Sequence, residues 1–136
     1  MNQANKILIR NTTEDGAKLS AFLQSQLSAI KVPDETYNDL RLAIEETFIN
    51  IISYAYTNNE EDTIFFELTT NNNQIRITFT DAGIAFNPLT DCDKNIDEDD
   101  KCEGGMGIHL IKSLTDAQEY KRIEQRNVFT LTKNYT

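Results

Sequence analysis

Glu46 and Asn50, a carboxylate and a carboxamide, stand four residues apart in the segment LAIEETFIN. On a helix that spacing puts both side chains on one face, one turn from each other. A carboxylate so placed can act as a general base. A carboxamide oxygen beside it suits a hard cation such as Mg²⁺, which takes oxygen ligands. Taken alone, the pair reads first as the solvated strip of an amphipathic helix. Two other places carry a similar ambiguity. Asp81-Ala82-Gly83 begins where an alternating strand ends. Its aspartate can accept a hydrogen bond from an amino group such as adenine's. Gly83 permits a backbone conformation or a close ligand approach that a side chain would block. An ordinary turn explains this loop equally well. Gly104-Gly105-Met106-Gly107 precedes a short helix, where free amides at the N-terminus make a site for phosphates. Glycines also simply punctuate helix starts, and the chain has no GK[ST] phosphate loop.

The elements that must position these residues follow from periodicity. Lys6 to Arg10 alternates and reads as a first strand. Glu14 to Ile30 carries Leu19, Phe22, Leu23, Leu27 and Ile30 at helical spacing. Pro33 stands at the start of a second helix, with Asp34 and Glu35 in its first turn, and that helix is expected to run to about Tyr56. On a wheel of about 100° per residue, Tyr37, Leu40, Ile44, Phe48, Ile51 and Ala55 form an apolar stripe. Leu42, Ile49, Ile52 and Tyr56 widen it to over half the circumference, so the helix should be largely buried. Asp39, Glu46, Asn50, Ser53 and Thr57 share the polar remainder. Glu45 lies about 100° off that strip, so the base role falls to Glu46. Thr63 to Thr70 and Gln74 to Thr80 read as a hairpin closed by Asn71-Asn72-Asn73. An irregular stretch from Asp81 to Gly105, a helix from about Gly107 to Leu114, and strands near Glu119 to Ile123 and Val128 to Lys133 complete the chain. This order argues an α+β sandwich with helices on one face of a sheet.

Composition bounds the function. The chain has 136 residues, 13 Lys plus Arg against 22 Asp plus Glu, and a net charge of −9. That charge repels a phosphate backbone, so nucleic acid is not the expected partner. No apolar run is long enough for a membrane span, and MNQANKILIRNT lacks the form of a secretory signal. The expectation is one cytoplasmic domain over residues 1–136 with no membrane partner. Cys92 and Cys102 read as free thiols, and His109, the only histidine, as a packing residue rather than a phosphoacceptor.

In order, an ExxxN helix, a DxGxxF loop and a GGxG before a helix resemble the GHKL ATPase superfamily. The likeness is strongest to its anti-sigma factor serine kinases. It extends over LAIEETFINIISYAY, DAGIAFNP, GGMGIHLIKSLTD and EYKRIEQRNVFTLTK, nearly the whole chain. The resemblance implies the Bergerat, or histidine-kinase-like, fold: a two-layer sandwich of a mixed, mostly antiparallel sheet with three helices on one face. It implies ATP and Mg²⁺ as cofactors, Glu46 as general base, and Asn50 as metal ligand bridging to the phosphates. It makes Asp81 the reader of the adenine amino group, with Gly83 giving the base room. Phe86, Gly104, Gly105, Met106 and Gly107 join the nucleotide site, and Pro88 to Glu103 becomes the lid. The partners implied are an anti-anti-sigma (STAS-type) substrate, a sigma factor and a second copy of the chain. Tyr54, Ala85 and Gln125-Arg126 depart from the pattern, where histidine, glycine and a glycine-rich turn are usual. Two other readings compete with the kinase. One is a nucleotide-dependent binding module, which has no chemical need for Glu46. The other is a detached ATP domain of a histidine kinase, for which the 32 residues before Pro33 supply no histidine.

Overall fold

The computed structural model describes residues 3–56, 60–90 and 106–135. Strand β1 (Gln3–Arg10) is followed by a short 3₁₀ turn and helix α1 (Gly16–Ser28). Helix α2 (Asp34–Asn50) begins behind Pro33, whose extended backbone (φ −59°, ψ 150°) precedes the acidic first turn of Asp34 and Glu35. It ends sooner than its periodicity suggests. After Asn50 the chain widens into a π-helical turn, Ile51–Ala55. Strands β2 (Thr63–Asn71) and β3 (Gln74–Asp81) form the expected hairpin, turning through Asn72 and Asn73 at φ 46° and 65°. Asparagine tolerates this left-handed backbone, which a two-residue hairpin needs. Helix α3 (Met106–Leu114) leads into the hairpin of β4 (Ala117–Ile123) and β5 (Arg126–Asn134).

The sheet order is β1-β2-β3-β5-β4. All four described pairings are antiparallel, so the sheet is antiparallel throughout rather than mixed. Period-2 alternation buries one face: Ile64, Phe66 and Leu68 on β2, Ile75, Ile77 and Phe79 on β3, Phe129 and Leu131 on β5. Phe66 lies at the centre, its ring edge-on to Phe79 at 5.0 Å and to Phe22 of α1 at 5.8 Å. The three helices cover this face, and α2 packs against both α1 and α3.

The apolar stripe of α2 is as its spacing demands: Leu40, Ile44, Phe48, Ile51 and Ala55 are buried. Its widening is so only in part: Ile52 and Tyr56 pack half-buried against the core. Leu42 and Ile49 are 39% and 44% exposed. They lie seven residues apart on α2 and are only partly covered by its neighbours, and a wheel cannot say where the neighbouring helices stop. Residues 91–105, which hold most of the expected lid, Cys92, Cys102, Gly104 and Gly105, lie outside the described residues. Among the described residues no helix is long and apolar enough to cross a membrane.

The turn from β1 into α1 is tied by one carboxylate. Asp15, 6% exposed, accepts from the backbone N–H of Arg10 at 2.7 Å and from its guanidinium at 3.1 Å. These bonds, the backbone one first, hold the carboxyl below its ordinary range. A depressed carboxylate contributes stability that is present above its unfolded pKa and lost as pH falls through its folded one. Asp15→Asn should therefore lower the denaturant midpoint at pH 7, and its deficit against wild type should shrink towards pH 3. A deficit unchanged across that range would contradict the role.

Candidate functional site

The end of α2 holds the two residues singled out by spacing. Glu46 is half-buried, and Asn50, the last residue of the helix, is 6% exposed. The Nδ2 of Asn50 is buried and has no hydrogen-bond partner among the described residues. A buried amide without a partner is costly in a folded chain, and it calls for a group that would satisfy it. The π-helical turn starts directly after it, an irregularity common at functional sites. Glu45 is exposed and spends its carboxylate on Arg41 of the same helix, 3.1 Å away.

The loop after β3 is docked onto this same helix end. The N–H of Ile84 donates to the carbonyl of Ala55 at 2.9 Å. Gly83 passes so close that a Cβ on it would lie 2.4 Å from that carbonyl oxygen and 2.8 Å from the Cβ of Ala55. The close approach that requires glycine here is made to the protein's own backbone. Phe86 turns inward: it is 6% exposed and its ring stacks on Tyr54 at 5.6 Å. Met106 and Gly107 open α3, which packs along α2. Helix end and loop thus meet, and α3 packs along the same helix.

Asp81 is 1% exposed, and its burial pushes its carboxyl above the ordinary range. Three contacts act against that push. The Nδ2 of Asn127 and the N–H of Gly83 each donate to Oδ1 at 2.9 Å, and the guanidinium of Arg122 adds its charge. Oδ2 takes no bond among the described residues. Asn127, 3% exposed, is the hub. Its Nδ2 also donates to the carbonyl of Ile84 at 2.8 Å. Its Oδ1 accepts from the N–H of Phe86 at 3.2 Å, from Arg122 at 3.0 Å and from the hydroxyl of Tyr120. Arg122 also donates to the carbonyl of Gly83 at 2.9 Å.

No motif marks Asn127, Arg122 or Tyr120, but one signal does exist. Asn127 sits on the Phe129–Leu131 side of β5, a polar residue at an inward position of an alternating strand. The register sets Asp81, Asn127 and Arg122 directly opposite one another across β3, β5 and β4.

A model of the histidine kinase-like ATPase domain matches residues 9–133. The chain belongs to that family. The serine-protein kinase RsbW of Staphylococcus aureus strain MSSA476 is 33% identical over 93 residues, 60% of this chain and 57% of the relative. The serine/threonine-protein kinase BtrW of Bordetella bronchiseptica is 28% identical over 97 residues, 70% of this chain and 68% of the relative. The chain spans little more than half the length of the staphylococcal relatives it matches. The solved RsbU and RsbW domains of Rv1364c from Mycobacterium tuberculosis share the fold, with a TM-score of 0.70 at 16% identity. That likeness covers 98% of this chain and 32% of the solved one.

In this ATPase domain Gly83 is held more tightly than Gly16, the other described glycine with close neighbours. The atom that a new Cβ would meet is backbone, which cannot swing aside. Gly83→Ala should cost about 1–3 kcal/mol, as overpacking does, and should displace the loop carrying Asp81. Urea unfolding measures the first effect, and amide chemical shifts of residues 81–86 the second. A wild-type midpoint with unmoved shifts would show that the loop is not clamped there.

Proposed function

We propose that the chain is a Mg²⁺- and ATP-dependent serine/threonine protein kinase of the anti-sigma type. In this reading it phosphorylates an anti-anti-sigma (STAS-type) protein, sequesters a sigma factor, and acts as a cytoplasmic homodimer. The observation that carries the reading is the buried, unpartnered amide of Asn50 one turn from half-buried Glu46, at the helix end where the Asp81 loop docks. The kinase names of the staphylococcal and Bordetella relatives support the same chemistry.

The residues present fit such a cofactor pair. Among the described residues no group of three or more His, Cys, Asp or Glu could hold a metal by itself. Mg²⁺ is commonly held by one or two protein oxygens plus substrate phosphates and water, which one carboxamide oxygen would serve. Asn50 would offer Oδ1 to the metal and the unpartnered Nδ2 to a phosphate oxygen. When bound, the metal neutralises charge developing on the phosphates. Asp81 would accept the adenine amino proton on Oδ2, the oxygen that carries no internal bond. Glu46 would take the proton of the substrate hydroxyl as its oxygen bonds to the γ-phosphorus and the bond to the departing diphosphate breaks. Gly104, Gly105, Met106 and Gly107 would face the phosphates with their backbone amides.

The roles of Glu46 and Asn50 separate experimentally. Asn50→Ala should weaken Mg·ATP binding, and activity should fall with it. Glu46→Gln keeps the side-chain shape and loses the base, so it should bind Mg·ATP within a few-fold of wild type. General bases contribute about 10²- to 10⁴-fold, and phosphoryl transfer leans mainly on positioning and charge. Glu46→Gln should therefore slow transfer by about 10²- to 10³-fold. Nucleotide titration and single-turnover phosphorylation of a STAS-type protein measure both. Transfer at the wild-type rate in Glu46→Gln would remove the base and favour a nucleotide-dependent binding module.

A further inference from the structure

We infer that Asn127, flanked by Arg122, is the positioning residue that makes Asp81 a nucleobase reader. It occupies Oδ1 inside the fold and leaves Oδ2 as the ionised acceptor for a ligand's amino group. The inference rests on the adenine-site reading of Asp81 and adds to it a residue that carries no motif.

The geometry is specific. Asn127 spends both ends of its amide on one loop. The Nδ2 holds Asp81 and the carbonyl of Ile84, and the Oδ1 holds the N–H of Phe86. Those bonds fix the loop on both sides of its glycine. Arg122 closes it by reaching Oδ1 of Asn127 and the carbonyl of Gly83 from the next strand. Because the N–H of Gly83 and the amide of Asn127 converge on the same oxygen of Asp81, the other oxygen keeps its lone pairs.

Charge follows geometry. A carboxyl that is 1% exposed favours its neutral form, and a neutral carboxyl would present a donor in place of a strong acceptor. The groups facing Asp81 pull in both directions. Asn127 on β5, the N–H of Gly83 and Arg122 on β4 favour the charged form, while Asp62 before β2 opposes it. Tyr56, beyond the π-helical turn, is held neutral by burial first, then by Asp81 and Asp62. Asn127 is the largest of the favourable influences. Losing it should push Asp81 towards the protonated form and blunt its preference for an amino donor.

Three variants test this: Asn127→Leu, which removes every polar contact; Asn127→Thr, which restores a single donor; and Arg122→Leu, at an exposed position. In nucleotide-free protein, the ¹³C titration of the Asp81 carboxyl should move to higher pH in Asn127→Leu and Arg122→Leu, with Asn127→Thr between Asn127→Leu and wild type. ATP affinity at pH 7 should fall about tenfold or more in Asn127→Leu, the usual scale for a lost bond to a charged group. Its ratio to wild type at each pH, which cancels the nucleotide's own ionisation, should recover as pH rises. A merely structural asparagine would lower affinity equally at all pH values and leave the carboxyl titration unmoved, and that result overturns the inference. If Asn127→Leu does not fold, Arg122→Leu and Asn127→Thr decide it by the same two readouts. A wild type that binds no adenine nucleotide, with the carboxyl shifts still as expected, would overturn the ATP reading and leave the network standing.

Discussion

The hydrogen bond from the amide of Ile84 to the carbonyl of Ala55 joins the sheet to the helix that carries Glu46 and Asn50. It forms only because residue 83 has no side chain, since a Cβ there would stand 2.4 Å from the accepting oxygen. Ala55 is the last residue of the π-helical turn, and the last carbonyls of a helical segment have no partner within it. The carbonyl of Ala55 is thus free to become the acceptor for the loop. Helix end and loop are therefore one unit, and a ligand held by Asn50 and one read by Asp81 would be held by parts of the same rigid contact.

A second constraint works against the sheet's own logic. Its buried face is apolar from Ile64 to Leu131, yet at one end it carries Asp81 and Asn127 in opposed positions, 1% and 3% exposed. Buried polar groups are tolerated when their bonds are made, and low local polarity strengthens those bonds. Here the amide of Asn127 is satisfied at both ends, and Asp81 is satisfied on one oxygen. Among the described residues the fold departs from full internal satisfaction at the Oγ1 of Thr12, at the Nδ2 of Asn50 and in the one-sided bonding of Asp81, and the last two lie at the candidate site. Such departures are expected at functional sites.

Much of this was legible in the chain. The pattern of Ile75, Ile77 and Phe79 identified a half-buried strand, and Leu40, Ile44, Phe48 and Ile51 identified the buried side of the long helix. The spacing of Glu46 and Asn50 put both residues on one face of it, but not at its end, which was expected near Tyr56 and falls at Asn50. Leu42 and Ile49 misled because a helical wheel records polarity and not the width of the neighbours that cover it. The π-helical turn was hidden because Ile51 to Ala55 continue the apolar spacing of an α-helix. Asn127 was hidden for another reason: its partners are distant in sequence, 41 to 46 residues for Phe86 and Asp81. Glu124 and Gln125 show that a tight hairpin can form without glycine or asparagine, at φ 49° and 66°, when the flanking strands are strongly paired. The apparent loss of a glycine-rich turn there leaves the β4–β5 pairing intact.

The most direct test is calorimetric titration of the wild-type chain with Mg·ATP and with Mg·GTP under one set of conditions. The two ligands share their phosphates and metal, so any difference reports the base. Adenine presents an amino donor where guanine presents a carbonyl, and a carboxylate at Asp81 accepts from the first and repels the second. Mg·ATP should bind and Mg·GTP should bind at least about tenfold more weakly, the scale of a bond to a charged group. Equal affinity for the two, or no binding of Mg·ATP, would contradict a nucleotide site built on the docked Asp81 loop.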